Sequence, residues 1–326
     1  MNQSQSNPHR GTAGGDLPLV GLFHLLVIYL IWGSTYLAIR VAVREGNGFE
    51  PFTLGAMRLL PASLILLVGA RLRGVRVRPS RGEFVTLVIS GLLLWIGGNG
   101  LVNWGEQRAD SGYAALIVGA LPIWTALYEA ILDRRTPSVR LIGALLVGFS
   151  GLGVLTYPEI QGGRHADALS VIALLAAPMF WGMGMVLMAR RPVKLGSMAI
   201  AGWQQLIGLG GFVLMVLLAG EKWHRPEPAA WGGLAYLIVA GSLIAFTSFM
   251  KVLKLLPTSI VSTYAYVNPV IAVFLGWLLL HEPLTVNTLA GAALVLLGVA
   301  GVFDDRRHRQ RQALTLKQQT ETISEA

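Results

Sequence analysis

The sequence predicts an all-α integral membrane protein of ten transmembrane helices, arranged as two inverted five-helix repeats. Three observations predict it. Of 326 residues, 54% are hydrophobic and only 13% charged, with a mean hydropathy of +0.59. Soluble domains carry roughly 25% charged residues, so the bilayer is the solvent here. Apolar runs long enough to cross a bilayer, which needs about 20 residues, recur at 18–43, 51–71, 84–105, 112–132, 139–156, 168–189, 197–219, 231–250, 258–280 and 284–303. Finally, landmarks in the first half return in the second, in the same order and at a nearly constant offset.

Residues 1–17 (MNQSQSNPHRGTAGGDL) form a polar tail. They lack the basic start and short apolar core of a cleaved leader, so segment 18–43 is expected to stay as the first span. That segment carries IWGSTY, with Trp32-Gly33 near mid-membrane, Tyr36 one turn on, and His24 as a polar interruption. Segment 51–71 contains MRLLPAS and Arg58, the one charge well inside a span, roughly 10 Å along the helix. Segment 84–105 carries Trp95, Asn99 and Asn103 at four-residue spacing, which puts them on one face of an α-helix. Glu106 and Gln107 continue that polar edge. Polar groups in hydrocarbon need partners, so the stripe should face protein or a watery cavity rather than lipid.

Segment 112–132 centres on Pro122 (GALPIWTALYEAIL), which removes a backbone donor and loosens the helix there. Segment 139–156 is glycine-rich. Segment 168–189 carries FWGMGM, and 197–219 has the polar pair Gln204–Gln205. Segment 258–280 centres on Pro269 (AYVNPVIAVFLGWLL), with Tyr264 and Asn268 on one face. Segment 284–303 closes the apolar part, and the polar tail 304–326 is expected to be weakly ordered. Gly148/Gly151 and Gly208/Gly211 permit close helix contact.

The repeat follows from Trp32-Gly33 and Trp181-Gly182, 149 residues apart, and from Pro122 and Pro269, 147 apart. Gly143 and Gly153 likewise stand 148 residues before Gly291 and Gly301. The repeats are read as 18–156 and 168–303. An odd number of helices per half turns the second half upside down, and inverted repeats with interrupted helices at matched positions place a solute site near the midplane. With the amino terminus in the cytoplasm, the outer loops hold only Arg40, Arg44, Arg108, Arg164, Lys222 and Arg225. The remaining basic residues except Arg58 fall inside. The positive-inside rule thus sets both termini in the cytoplasm, and the basic loops need no further role than this and contact with anionic lipid.

YLIWGSTYLAIR, MRLLPAS, GNGLVNWGEQRADSGYAALIVGALPIWTAL and VNPVIAVFLGWLLLHEPLTVNTLAGAALVLLGV resemble the EamA family of the drug/metabolite transporter superfamily. The likeness spans about residues 18–303. It implies a ten-helix transporter of two five-helix repeats, in a family whose members export amino acids, other metabolites or toxic compounds, usually from the bacterial cytoplasm. It also implies a central cavity lined mainly by helices 1, 3, 4, 6, 8 and 9. DRRTPS in the first half departs from the more usual HEPLT of the second, and no motif marks a nucleotide-sugar carrier.

The expected substrate-binding residues are Trp32, Tyr36, Asn99, Asn103, Trp181, Tyr264 and Asn268: aromatic walls for an apolar side chain, amides and hydroxyls for a polar end. The alternatives are helix packing for the tryptophans and, for Asn268, satisfaction of the carbonyl freed by Pro269. Pro122 and Pro269 are expected hinges. Arg58 is read as a structural charge paired with Glu106; the alternative is an anchor for a substrate carboxylate. Glu106 and Glu282 lie at span ends, where water keeps a carboxylate ionised, so no specific residue supports proton coupling. His24 and the Gln204–Gln205 pair are read as hydrogen-bonding neighbouring helices.

No cysteine is present, the six histidines have no close pair, and no glycine-rich phosphate loop follows a strand. Disulfides, a metal centre, a bound cofactor and ATP-driven pumping are therefore not expected. The net charge of +9 is dispersed over loops, which disfavours nucleic acid. The implied partners are a small-molecule metabolite and the lipid bilayer, with a homodimer left open. The sequence thus points to a secondary transporter in the inner (plasma) membrane, an exporter of small amphipathic metabolites such as amino acids, and not to an enzyme. The rivals are a membrane enzyme acting on lipid-linked substrates, which would need converging acid–base or metal groups, and a scaffold without transport.

Overall fold

The computed structural model describes residues 17–109, 114, 117–161, 168–191, 193–280 and 285–325. Among them the chain is helical throughout, without strands. In order come α1 (Leu19–Ala42), α2 (Pro51–Leu72), α3 (Arg81–Gly105), α4 (Leu121–Asp133), α5 (Val139–Gln161), α6 (Ala168–Arg190), α7 (Ser197–Ala219), α8 (Pro228–Leu255), α9 (Tyr264–Leu280) and α10 (Val286–Glu325). A single turn, Thr258–Val261, precedes α9. Six of these helices, α1, α2, α3, α6, α7 and α8, are long and apolar enough to cross a membrane, and a shorter apolar helix covers Val139–Leu155. The protein is therefore a multi-pass membrane protein.

α3 and α8 are not uniform. Each widens in its middle into a π-helical stretch, at Leu93–Gly100 and Leu237–Ala245. Hydrogen bonds from i to i+5 replace the usual ladder there, and such stretches recur at functional sites. Pro122 does not kink a continuous helix as expected. The chain turns at Gly119–Ala120, and Pro122 stands in the first turn of α4, where its missing N–H costs nothing. Pro269 lies inside α9. The carboxyl-terminal tail also differs from expectation, since α10 runs on as one helix to Glu325. The tail is free of Gly and Pro, and Asp305 pairs with Arg309 one turn later at 2.9 Å; these favour continued helix over coil.

Packing joins elements from the two halves. α2 lies against α7, and α5 lies against α10; α1 contacts α8 and α9, while α6 contacts α3 and α4. Small residues make the closest approaches. A Cβ on Gly208 would stand 2.7 Å from Trp95 Cβ, and one on Gly211 2.6 Å from Ile96 Cγ1. On α5, Gly151 meets the Val295 backbone and Gly148 meets the Tyr266 ring. The landmark glycines of the repeat are not equivalent. A Cβ on Gly291 or Gly301 would collide with Leu155 or Ala144 of α5, whereas Gly143 and Gly153 face open space.

The loops also cross between halves. At one end, the Glu221 carboxylate accepts from Phe52 N at 2.9 Å and Thr53 N at 2.7 Å, capping α2 from beyond the end of α7. His224 bonds to Gly48 O at 2.6 Å, and Glu227 N donates to Asn47 O at 2.9 Å. At the other end, Trp203 Nε1 donates to Val77 O at 2.6 Å, and Lys194 N donates to Glu83 Oε1 at 2.7 Å. The loop between α1 and α2 is thus tied to the α7–α8 loop, and the α2–α3 loop to the start of α7. The polar interruptions find partners as expected: His24 Nδ1 bonds to Ser248 Oγ at 3.0 Å, Gln204 Nε2 donates to Ser90 Oγ at 2.7 Å, and Gln205 Nε2 donates to Ser242 O at 3.3 Å.

Candidate functional site

Six aromatic rings from five helices meet between the halves. Trp32 of α1 stands 5.6 Å from Trp181 of α6, 5.0 Å from Phe249 of α8 and 4.9 Å from Tyr264 of α9. Trp95 of α3 adds contacts to Trp181 at 6.5 Å and to Phe246 at 4.8 Å. Most of these rings meet edge-to-face or tilted, the arrangement that the ring quadrupoles favour. The two tryptophans matched by the repeat therefore touch each other.

The rings border a cavity of about 80 Å³. Of the residues expected from sequence, Trp32, Tyr36, Asn99, Trp181, Tyr264 and Asn268 line it. Its walls come from α1, α3, α4, α6, α8 and α9, with Arg58 of α2 in addition. Asn103 is not brought to it. The side chain is 1% exposed, and its Nδ2 donates to Pro51 O at 3.3 Å, at the start of α2. The physical reason is the π stretch: widening between Leu93 and Gly100 turns the register, so the four-residue stripe does not stay on one face. The Oδ1 of Asn268 is buried without a hydrogen-bond partner, as is Oδ1 of Asn99. Both residues line the cavity.

Arg58 is 4% exposed, and its pairing differs from expectation. Nε donates to Ser242 Oγ at 2.8 Å, and the guanidinium lies 5.2 Å from the centre of the Trp95 ring. Glu106 belongs to another arrangement. It is fully buried, and both carboxylate oxygens lack a hydrogen-bond partner. Arg40 of α1 donates from Nη1 to Glu106 O at 2.8 Å and Ala109 O at 3.0 Å, satisfying carbonyls left open where α3 ends. α1 thus takes up the end of α3, and the turn carries Glu106 inward rather than to water. Glu282 lies outside the described residues.

Sequence reasoning missed Thr35, Phe246 and Pro178 of the cavity wall and left Arg58 and Trp95 out of the expected site. Trp95 was legible on the same stripe as Asn99; Phe246 and Pro178 are ordinary apolar-helix residues and carried no signal. Among the described residues no cluster of His, Asp or Glu could hold a metal ion.

Comparison with known proteins gives a consistent family. The model of the EamA-like transporter family matches twice, over residues 19–157 and 168–304. The uncharacterized inner membrane transporter YedA of Escherichia coli K12 is 33% identical over 264 residues, covering 80% of this chain and 82% of its own length. A probable terminal-alkyne amino-acid exporter of Streptantibioticus cattleyicolor is 27% identical over 295 residues, covering 89% of this chain and 96% of its own. A protein known from a crystal structure superposes with a TM-score of 0.70 at 21% identity, covering 88% of this chain and 99% of its own, which speaks to the fold alone.

Proposed function

This chain belongs to the EamA-like transporter family, and on that premise we propose that it is a secondary transporter exporting small amphipathic metabolites such as amino acids. The observation that carries the reading is the cavity: aromatic walls beside buried, unbonded amide oxygens, formed where the two halves meet. An apolar side chain suits the rings of Trp32, Trp181 and Tyr264, and a polar end suits Asn99, Asn268 and Tyr36. The amino-acid exporter among the relatives supports the same substrate class.

Alternating access is the mechanism. Two five-helix units, 18–156 and 168–303, form a ten-span protein with inverted topology and both termini in the cytoplasm of an inner membrane. Several observations support this reading. The contacts α1·α9 and α6·α4 exchange when the halves are exchanged, and so do α3·α6 and α8·α1. The π stretches fall in the third helix of each half. The loop ties at the two ends are related in the same way. The turn before Pro122 and the stretch of α9 around Pro269 are where the chain yields as the units rock, since neither prolyl nitrogen can donate a backbone hydrogen bond.

The test compares metabolites in the medium of cells expressing the wild-type chain with those of cells expressing equal membrane levels of Trp32→Ala/Trp181→Ala. Solutes enriched outside wild-type cells alone identify export and the substrate class. Identical media at verified expression would remove the cavity from the transport path.

A further inference from the structure

We propose that Arg58 is the anion-recognising residue of the cavity: its guanidinium holds the carboxylate of the transported solute. This rests on the reading of the cavity as a solute site. The structural roles open to a buried arginine are an ion pair or a cap on helix-end carbonyls, and among the described residues Arg58 has neither. No carboxylate approaches it among the described residues, and Glu106, the acidic residue nearest in sequence pattern, lies with Arg40. Its hydrogen bond within the protein runs from Nε to the Ser242 hydroxyl. Among the described residues its two terminal nitrogens have no further hydrogen-bond partner, and the residue lines the cavity. A buried guanidinium without a counter-charge is costly, and an incoming anion would repay that cost.

The surroundings keep the guanidinium in place. Trp95 covers one face at 5.2 Å, which a planar cation tolerates well. Gly241, in the π stretch of α8, stands beside Nη2. A Cβ there would stand 3.0 Å from Nη2, so any other residue would crowd this nitrogen. The planar fork of a guanidinium matches the two oxygens of a carboxylate. The unbonded amide oxygens of Asn99 and Asn268 in the same cavity offer acceptors for an ammonium. The class that satisfies both ends is a zwitterionic amino acid with an apolar side chain against the rings.

The experiment uses the purified full chain in detergent and follows the intrinsic fluorescence of the cavity tryptophans. The probes are L-leucine and L-phenylalanine, each beside its carboxamide, which keeps the ammonium and side chain and lacks the carboxylate. Wild type should bind at least one of these amino acids about ten- to a hundredfold more tightly than its amide, the range for hydrogen bonds to a charged group. Arg58→Gln should bring the amino acid down to the level of the amide and leave the amide unchanged. Arg58→Lys, which keeps the charge without the fork, should fall between.

Equal binding of acid and amide by wild type overturns the inference, and so does an equal loss of both in Arg58→Gln, which would mark a structural role. Wild type that binds neither amino acid overturns it too. Monodisperse elution of each variant separates these results from misfolding. Selective binding without enrichment in the medium would instead sink the export reading and leave Arg58 as the carboxylate site.

Discussion

Exchanging Gly291 and Gly143 separately for alanine tests the helix packing at a pair of positions that the sequence repeat makes equivalent. The structure makes them opposite. At Gly291 of α10 the new Cβ would lie 2.5 Å from Leu155 N, 2.7 Å from its Cα and 2.8 Å from its Cβ. These are mostly backbone atoms of α5 and cannot rotate aside, so the two helices must separate. Overpacking of this kind costs about 1–3 kcal/mol. Gly143 of α5 has nothing within 4 Å of the new carbon, and alanine gains up to roughly 1 kcal/mol of helix propensity over glycine. The two substitutions should therefore differ by about 1–4 kcal/mol, in opposite directions from wild type. Reversible unfolding of the purified chain in mixed micelles, followed by circular dichroism, measures this difference. Equal midpoints for the two variants, or a Gly291→Ala protein as stable as wild type, would refute the tight α5–α10 contact.

Other substitutions separate the site from its supports. Asn99→Ala should reduce export while leaving the unfolding midpoint near wild type, whereas Asn103→Ala should lower the midpoint by about 1 kcal/mol equivalent through loss of the bond to Pro51 O; both read out in the medium and micelle assays. Glu221→Gln removes the charge that receives Phe52 N and Thr53 N and should destabilise by about 0.5–2 kcal/mol, seen as an earlier unfolding midpoint. Gly98→Ala would place a Cβ 2.6 Å from Trp181 Cε3; the ring must move into the cavity, so substrate export should fall with an accompanying shift in tryptophan fluorescence. An unchanged spectrum would show that the Trp181 ring is not held against α3.

The membrane class and most helix bounds were legible because hydropathy is local: it sums over one segment and needs no knowledge of neighbours. Expected and observed ends agree closely for α1, α2 and α7. The matched tryptophans were also legible, since a repeat in sequence carries depth in the membrane with it. Six of seven expected substrate residues line one cavity for that reason. Asn103 does not, because periodicity assumes an ideal α-helix and α3 widens in its middle. No pattern in LLWIGGNG announced that change of ladder.

What the sequence determined by itself is therefore which residues enter the bilayer and which polar groups must find partners there. Which partner each one finds was decided by tertiary structure. Arg58 and Glu106 invite pairing with each other in the sequence. Folding gives the carbonyls at the end of α3 to Arg40 and sets Arg58 between Trp95 and Ser242 instead. Likewise, four landmark glycines look alike along the chain, yet only Gly291 and Gly301 lie where α5 presses on α10. Pairing and close approach depend on how helices rotate and cross, and hydropathy holds no information about either.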